Sequence, residues 1–211
     1  MQLDVPLKRV AAIDLAPLER IVLRLEPLFG GPDAPVWSMV AARSEWIGKD
    51  ERPADVGFRK MRPTAYVQLC VVNDESPHSP WALAIPEDVW PRAEQDAFAR
   101  EQAELCRRLY GDGLLCFAGF AILGPGGLIP VHRDMPHDQK KKEFSHHLHA
   151  PITEAEECEF VLGDTKTTLE RGGLYEIDNM RPHSATHRGF GYRVNLMLDF
   201  CPAQNLEKRS G

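Results

Sequence analysis

The stretch LLCFAGFAILGPGGLIPVHRD, residues 114–134, contains two runs of strand-forming residues separated by the turn residues Gly124-Pro125-Gly126-Gly127. This pattern predicts strands near 114–123 and 128–133. Similar short runs between Gly, Pro and Asp turns predict six more strands, near 146–152, 157–162, 166–169, 173–178, 183–187 and 191–200. Eight short strands at this spacing favour a mainly β fold, a double-stranded β-helix or jelly roll.

The residues before this stretch have a different pattern, with two predicted helices. Asp14 is a suitable N-cap for a helix whose apolar residues recur at helical spacing as far as Leu28 and which ends at Gly30. A second helix is predicted from about Pro91 to Tyr110, and the apolar run at 65–72 predicts a buried strand. We therefore expect one compact domain: a support region (1–113) with its helices packed outside, a β-helix core (114–202) and a tail (203–211).

Composition excludes several classes of protein. The 211-residue chain carries 25 basic and 31 acidic residues, a formal charge of −6, and its one basic run, at 140–142, has no interleaved aromatic residues. Nucleic acid is therefore not an expected partner. Five widely spaced cysteines indicate neither a disulfide framework nor a structural zinc site. With no signal-like or membrane-spanning apolar segment in the sequence, we expect a cytoplasmic protein without membrane contact.

A possible metal site lies at the end of the opening stretch. In an extended chain, His132 and Asp134 project to the same side, about 6 to 7 Å apart. His183 follows much later, at the start of the last predicted strand pair, and can supply a third ligand. Two imidazoles and one carboxylate leave open positions on an octahedral ion, the arrangement expected for non-haem iron(II) that binds a cosubstrate and O2. H-x-D alone is a weak signal, because many exposed strands contain it by chance.

Two further features surround this motif. Arg193 lies in an otherwise apolar strand, where a buried guanidinium needs an anion. Its partner is either a structural carboxylate, Glu176 or Asp199, or a dicarboxylate ligand. His147 and His149 share one strand face and are either packed polar residues or part of a second metal site.

Together these motifs resemble those of the aspartyl/asparaginyl β-hydroxylase family of 2-oxoglutarate oxygenases, whose fold is similar to that of bacterial cis-proline hydroxylases. The resemblance covers roughly residues 114–202. It depends on the segments at 124–134, 147–152, 172–179 and 183–193 in that order. It implies that His132, Asp134 and His183 bind Fe(II) and act in catalysis, that Arg193 holds the distal carboxylate of 2-oxoglutarate, and that His149 helps to hold the same cosubstrate.

One position departs from the family pattern. The family usually carries an arginine where this chain has His147, two residues before the motif histidine, and that arginine is associated with gripping the substrate. Asp134 is present, whereas some animal members have glycine there, and a halide-transferring activity is correspondingly disfavoured.

The resemblance implies a hydroxylase that couples 2-oxoglutarate decarboxylation to C–H hydroxylation. The expected substrate is amino-acid-like: free, carrier-tethered or peptidyl. Candidate carboxylate contacts are Arg59, Lys60, Arg62, Arg133 and Arg181, although an ordinary surface charge is the preferred interpretation for each. Two alternatives stay open: a cupin-type metalloenzyme that does not use 2-oxoglutarate, and a barrel that binds a metal or metabolite without catalysis.

Overall fold

The computed structural model describes residues 6–30, 62–71, 82–133, 145–154 and 157–206. Its elements, in chain order, are β1 (Leu7–Ala12), α1 (Leu15–Phe29), β2 (Arg62–Val71), β3 (Ala82–Ala84), α2 (Arg92–Tyr110), β4 (Gly113–His132), β5 (His146–Pro151), β6 (Cys158–Leu162), β7 (Thr165–Thr167), β8 (Gly173–Ile177), β9 (His183–His187), β10 (Arg193–Pro202) and a short 3-10 helix (Ala203–Asn205).

The strands form a curled sheet in the order β1-β8-β5-β10-β4-β9-β6-β7, with β2 also paired to β4 and β3 to β2. Every pairing is antiparallel except that of β2 with β3. The protein therefore has the mainly β jelly-roll fold that the strand pattern predicts.

The two strands predicted at 114–123 and 128–133 are one long strand, β4. Its first part pairs with β10 as far as Leu123, and its last part pairs with β9 from Leu128 onward. Gly126 lies between these parts with a φ of +72°, a conformation that favours glycine. The glycine-rich segment thus changes the partner of the strand instead of ending it.

Both predicted helices are confirmed as α1 and α2. The Asp14 side chain accepts a hydrogen bond from the backbone N–H of Ala16 at 3.0 Å, which caps α1. The predicted strand at 65–72 is confirmed as β2, whereas β1 and β3 were not predicted. Among the described residues, no helix is both long and apolar enough to cross a membrane.

Two apolar clusters use the two faces of the sheet. Val194, Leu196 and Leu198 of β10 belong to a cluster with Leu25 of α1 and Phe98 of α2. A second cluster includes Leu123, Ile129, Phe160, Tyr175 and Ala185 and covers the other face. Because side chains alternate along a strand, the odd-numbered residues of β10 lie on the face away from the helices, which we call the inner face.

Candidate active site

His132 and His183 lie directly opposite each other on the paired strands β4 and β9. Their ring centroids are 4.2 Å apart. Two histidines far apart in the sequence thus meet at one point because these antiparallel strands pair in this register. The spacing brings both rings within reach of one metal ion.

Backbone carbonyl groups orient both rings. Nδ1 of His132 lies 2.8 Å from the Pro130 oxygen, and Nδ1 of His183 lies 2.9 Å from the Arg181 oxygen. A carbonyl oxygen can only accept, so each Nδ1 carries the proton and donates it. In the neutral imidazole, Nε2 then has the lone pair that a metal requires. The donor set therefore fits a divalent metal bound through the two Nε2 atoms.

The predicted carboxylate ligand, Asp134, lies outside the described residues. Within the described ranges, no group of three His, Cys, Asp or Glu side chains is placed to hold a metal. The structure thus brings together two of the three predicted ligands, and the third stays a prediction.

Arg193 is the first residue of β10, and only 3% of its surface is exposed. Burial lowers the pKa of Arg193, and the neighbouring Cys158 acts in the opposite direction. In the orientation that places the amide oxygen of Asn195 toward Arg193, this oxygen accepts from both terminal guanidinium nitrogens, at 3.1 and 3.2 Å. No ion pair links Arg193 to a carboxylate in the part of the chain that the structure describes.

The two carboxylates considered as structural partners of Arg193 have other partners. Oε1 of Glu176 lies 2.5 Å from Nδ1 of His146, while Asp199 is paired with His147. A buried guanidinium among described residues that supply no carboxylate has the chemistry of an anion site. This favours the dicarboxylate alternative for Arg193.

His147 and His149 share one face of β5, as strand alternation predicts, and their Nε2 atoms are 2.9 Å apart. Nδ1 of His147 is hydrogen-bonded to the carboxylate of Asp199, which lies opposite it on β10. The sequence did not predict this pairing of Asp199 with His147. The one sequence feature that could have indicated the pairing is that His147 and Asp199 are both odd-numbered residues, whose side chains point to the inner face of neighbouring strands.

Phe160 lies between the His147–His149 pair and the predicted metal ligand His183. Its ring centroid is 6.3 Å from that of His149 and 6.3 Å from that of His183. The rings of His149 and His183 therefore line the same interior. The predicted metal and cosubstrate residues that the structure describes, namely His132, His149, His183 and Arg193, therefore share the inner face, which is the face expected for a jelly-roll site.

A second polar cluster lies on the opposite face, toward α2. Tyr110 stacks on His146 with centroids 3.7 Å apart, and its hydroxyl donates to Glu176 at 3.2 Å. Burial, followed by the charge of Glu176, raises the pKa of Tyr110. The buried His146 and Glu176 and the half-buried Tyr110 satisfy one another and stabilise the contact between helix and sheet.

Of the basic residues proposed as carboxylate contacts, the structure describes the side chains of Arg133 and Arg181. Arg133 is exposed, and Nε of Arg181 is 3.1 Å from Oδ2 of Asp178. Arg59 and Lys60, like the basic run at 140–142, lie outside the described residues, and for Arg62 the structure describes only its place in β2.

A family model described as aspartyl/asparaginyl beta-hydroxylase matches residues 91–202, more than half of the chain. A search of curated proteins found no match.

Solved structures with a similar fold include three oxygenases. A non-heme monooxygenase, the ThoJ–Ni complex, is 11% identical with a TM-score of 0.49, covering 93% of this chain and 74% of its own. A 2OG-Fe(II) oxygenase family oxidoreductase from Burkholderia pseudomallei is 11% identical with a TM-score of 0.44, and the match covers 65% of this chain and 66% of the oxidoreductase. The viral collagen prolyl hydroxylase from Paramecium Bursaria Chlorella virus-1, in its 2OG complex, is 14% identical with a TM-score of 0.36, covering 57% and 77%.

Proposed function

Because the chain belongs to the aspartyl/asparaginyl β-hydroxylase family, we propose that it is an Fe(II)- and 2-oxoglutarate-dependent hydroxylase whose metal is held by His132, Asp134 and His183. The observation that carries the proposal is the placement of His132 and His183 opposite each other, each with Nδ1 donating to a backbone carbonyl. This geometry leaves the Nε2 lone pair of each neighbouring ring available to a metal, and the family match supplies the chemical context.

The residues of the chain have distinct roles in this proposal. Bound iron(II), with 2-oxoglutarate and O2, supplies the oxidising chemistry that inserts an oxygen atom into a C–H bond. Arg193 binds the distal carboxylate of 2-oxoglutarate through charge-assisted hydrogen bonds, and Asn195 holds its guanidinium in place. Phe160 and its apolar neighbours keep water from the interior.

The proposed substrate is an amino acid that is free, tethered to a carrier or part of a peptide. This proposal follows from the family's name, which refers to aspartyl and asparaginyl residues. Both ring nitrogens of His147 have partners within the protein, Nδ1 with Asp199 and Nε2 with His149, so His147 does not grip the substrate as the arginine usual at this position does. We therefore expect a substrate preference that differs from that of relatives with the arginine.

The decisive experiment is an anaerobic titration of the purified protein with iron(II) and then with 2-oxoglutarate. We expect a visible absorption band that requires both additions, because chelation of iron by the keto acid creates a charge-transfer transition. Air and a panel of free, carrier-tethered and peptidyl amino acids are then added. Succinate formation and a one-oxygen mass gain identify the substrate class.

Each alternative function has its own result in this experiment. Substrate turnover that needs the metal but not 2-oxoglutarate indicates a cupin-type metalloenzyme. Metal or metabolite binding without turnover of any substrate indicates a binding barrel. The absence of the absorption band in the wild-type protein refutes the role of 2-oxoglutarate.

A further inference from the structure

The inner face contains a hydrogen-bonded chain of three side chains, Asp199–His147–His149, which we call the relay. Asp199 lies opposite His147 and accepts a hydrogen bond from its Nδ1, while Nε2 of His147 faces Nε2 of His149 at 2.9 Å. His147 is 5% exposed, and the side chain of Asp199 is 14% exposed. Water therefore competes little with either contact.

The facing Nε2 atoms limit where the protons lie. Two imidazole nitrogens at this distance share one proton, since two lone pairs or two N–H groups repel each other. If both rings are neutral, Nε2 of His149 donates to His147, and Nδ1 of His149 is an acceptor. If the pair carries one additional proton, Nε2 of His147 donates, and Nδ1 of His149 becomes a donor.

The charge of Asp199 decides between these arrangements. A carboxylate is an acceptor only, and its negative charge offsets the positive charge of the additional proton, so that the relay as a whole is neutral. An anion beside His149 also favours the arrangement in which Nδ1 donates. An acceptor at this place would repel a carboxylate.

We propose that Asp199 and His147 are positioning residues that make His149 a hydrogen-bond donor to a carboxylate of 2-oxoglutarate. This inference rests on the proposed function and deepens it. Asp199 acts through His147 and does not touch the cosubstrate. The relay thereby binds an anion as a permanently charged side chain would, but it presents a positively polarised N–H in the buried interior only when the anion is present.

The charged and titratable neighbours of the relay agree with this assignment. Within the described residues, Arg193 lies further along the inner face of β10, and Tyr175 lies opposite His149 on β8. Cys106 of α2 is near enough to Asp199 that, in addition to burial, the charge of Asp199 raises the pKa of the Cys106 thiol. His146 and Glu176 pair with each other on the opposite face of the sheet. Asp199 is therefore the carboxylate that supplies the compensating charge among these groups.

The test uses Asp199→Asn, which keeps an accepting oxygen but removes the charge. The matched control is Asp164→Asn, the same exchange at an exposed turn residue. We expect Asp199→Asn to weaken 2-oxoglutarate binding by about 10- to 100-fold, measured by anaerobic titration of the iron(II) protein, and we expect no change in the control. Equal affinity in Asp199→Asn and wild type refutes the relay.

A second readout is the protonation of His149 itself, observed by nitrogen NMR on the zinc-substituted, diamagnetic protein. In the wild type with 2-oxoglutarate, we expect Nδ1 of His149 to carry a proton, and in Asp199→Asn we expect this proton to be absent. An unprotonated Nδ1 in the wild-type complex contradicts the proposal even if affinity changes. If the wild type binds no 2-oxoglutarate, the proposed function fails. The NMR scalar coupling between the Nε2 atoms of His147 and His149 would still show in that case whether their hydrogen bond exists.

Variants at His147 separate positioning from packing. Arginine is always protonated, pairs with Asp199 and can donate to Nε2 of His149, so His147→Arg should keep 2-oxoglutarate affinity within a few-fold. His147→Leu fills a similar space without donors and should lose affinity as Asp199→Asn does. Equal losses in both variants would show that only the shape of the ring matters and would overturn the assignment.

Discussion

Replacing Arg193 with methionine removes a charge from the interior while keeping most of the apolar stem. Arg193 is 3% exposed, and burial lowers its pKa because desolvation disfavours the charged guanidinium. If it binds a cosubstrate carboxylate, its loss affects binding much more than folding. If it has a structural role, the order of the two effects is reversed.

The expected magnitudes differ clearly. Losing one partner of a buried, hydrogen-bonded charge pair costs about 2–5 kcal/mol of binding energy, which corresponds to a rise in the dissociation constant of 2-oxoglutarate of roughly 30- to 5,000-fold. For folding, loss of the donors to Asn195 costs about 1–3 kcal/mol and is offset by removal of a desolvated charge. We expect the melting temperature without ligand to change by less than about 4 °C.

The assay combines thermal unfolding without ligand and anaerobic 2-oxoglutarate titration of the iron(II) protein. The control is Arg188→Met, the same exchange at an exposed position in the turn between β9 and β10, which should alter neither quantity. A buried structural ion pair would instead lose about 3–5 kcal/mol, a fall in melting temperature of roughly 6–20 °C. Such a fall with unchanged 2-oxoglutarate affinity refutes the role given to Arg193.

Three other variants test separate parts of the structure. His183→Ala should lose iron on desalting while keeping its thermal transition, because one of two opposed ligands is gone; normal metal content by elemental analysis would remove His183 from the ligand set. Tyr110→Phe ends the donation to Glu176 and should lower the unfolding free energy by about 1.5–3 kcal/mol in denaturant titrations, whereas weaker 2-oxoglutarate binding would contradict its place on the opposite face. Burial raises the pKa of Cys106 from 9.0 to about 12. Between pH 9 and 12 the thiol is therefore deprotonated in the unfolded chain but still protonated in the folded protein. The free energy of unfolding should fall across this range by up to about 1.4 kcal/mol per pH unit. Denaturant titrations across this range should give a shallower slope for Cys106→Ala, and parallel slopes would count against the raised pKa.

Much of the fold follows from signals that lie close together in the sequence. The Asp14 cap, the helix ending at Gly30 and the alternating strands around His147 and His149 are decided by interactions within a few residues. The continuity of β4 through Gly126 could not be predicted in this way, because turn residues within one long strand look the same in a sequence as turn residues between two strands. The partner strands β10 and β9 decide that β4 continues.

The candidate site divides in the same way. The residue types at 132, 134 and 183, in the context of the family resemblance, predicted a metal site. A guanidinium in an apolar strand predicted an anion near Arg193 without deciding which one. Only the tertiary structure decided that His132 faces His183, and that Asp199 belongs to His147 and not to Arg193. Those contacts join strands far apart in the chain, and their register is selected by burial over the whole sheet, since a shift of one residue would turn every inner side chain outward.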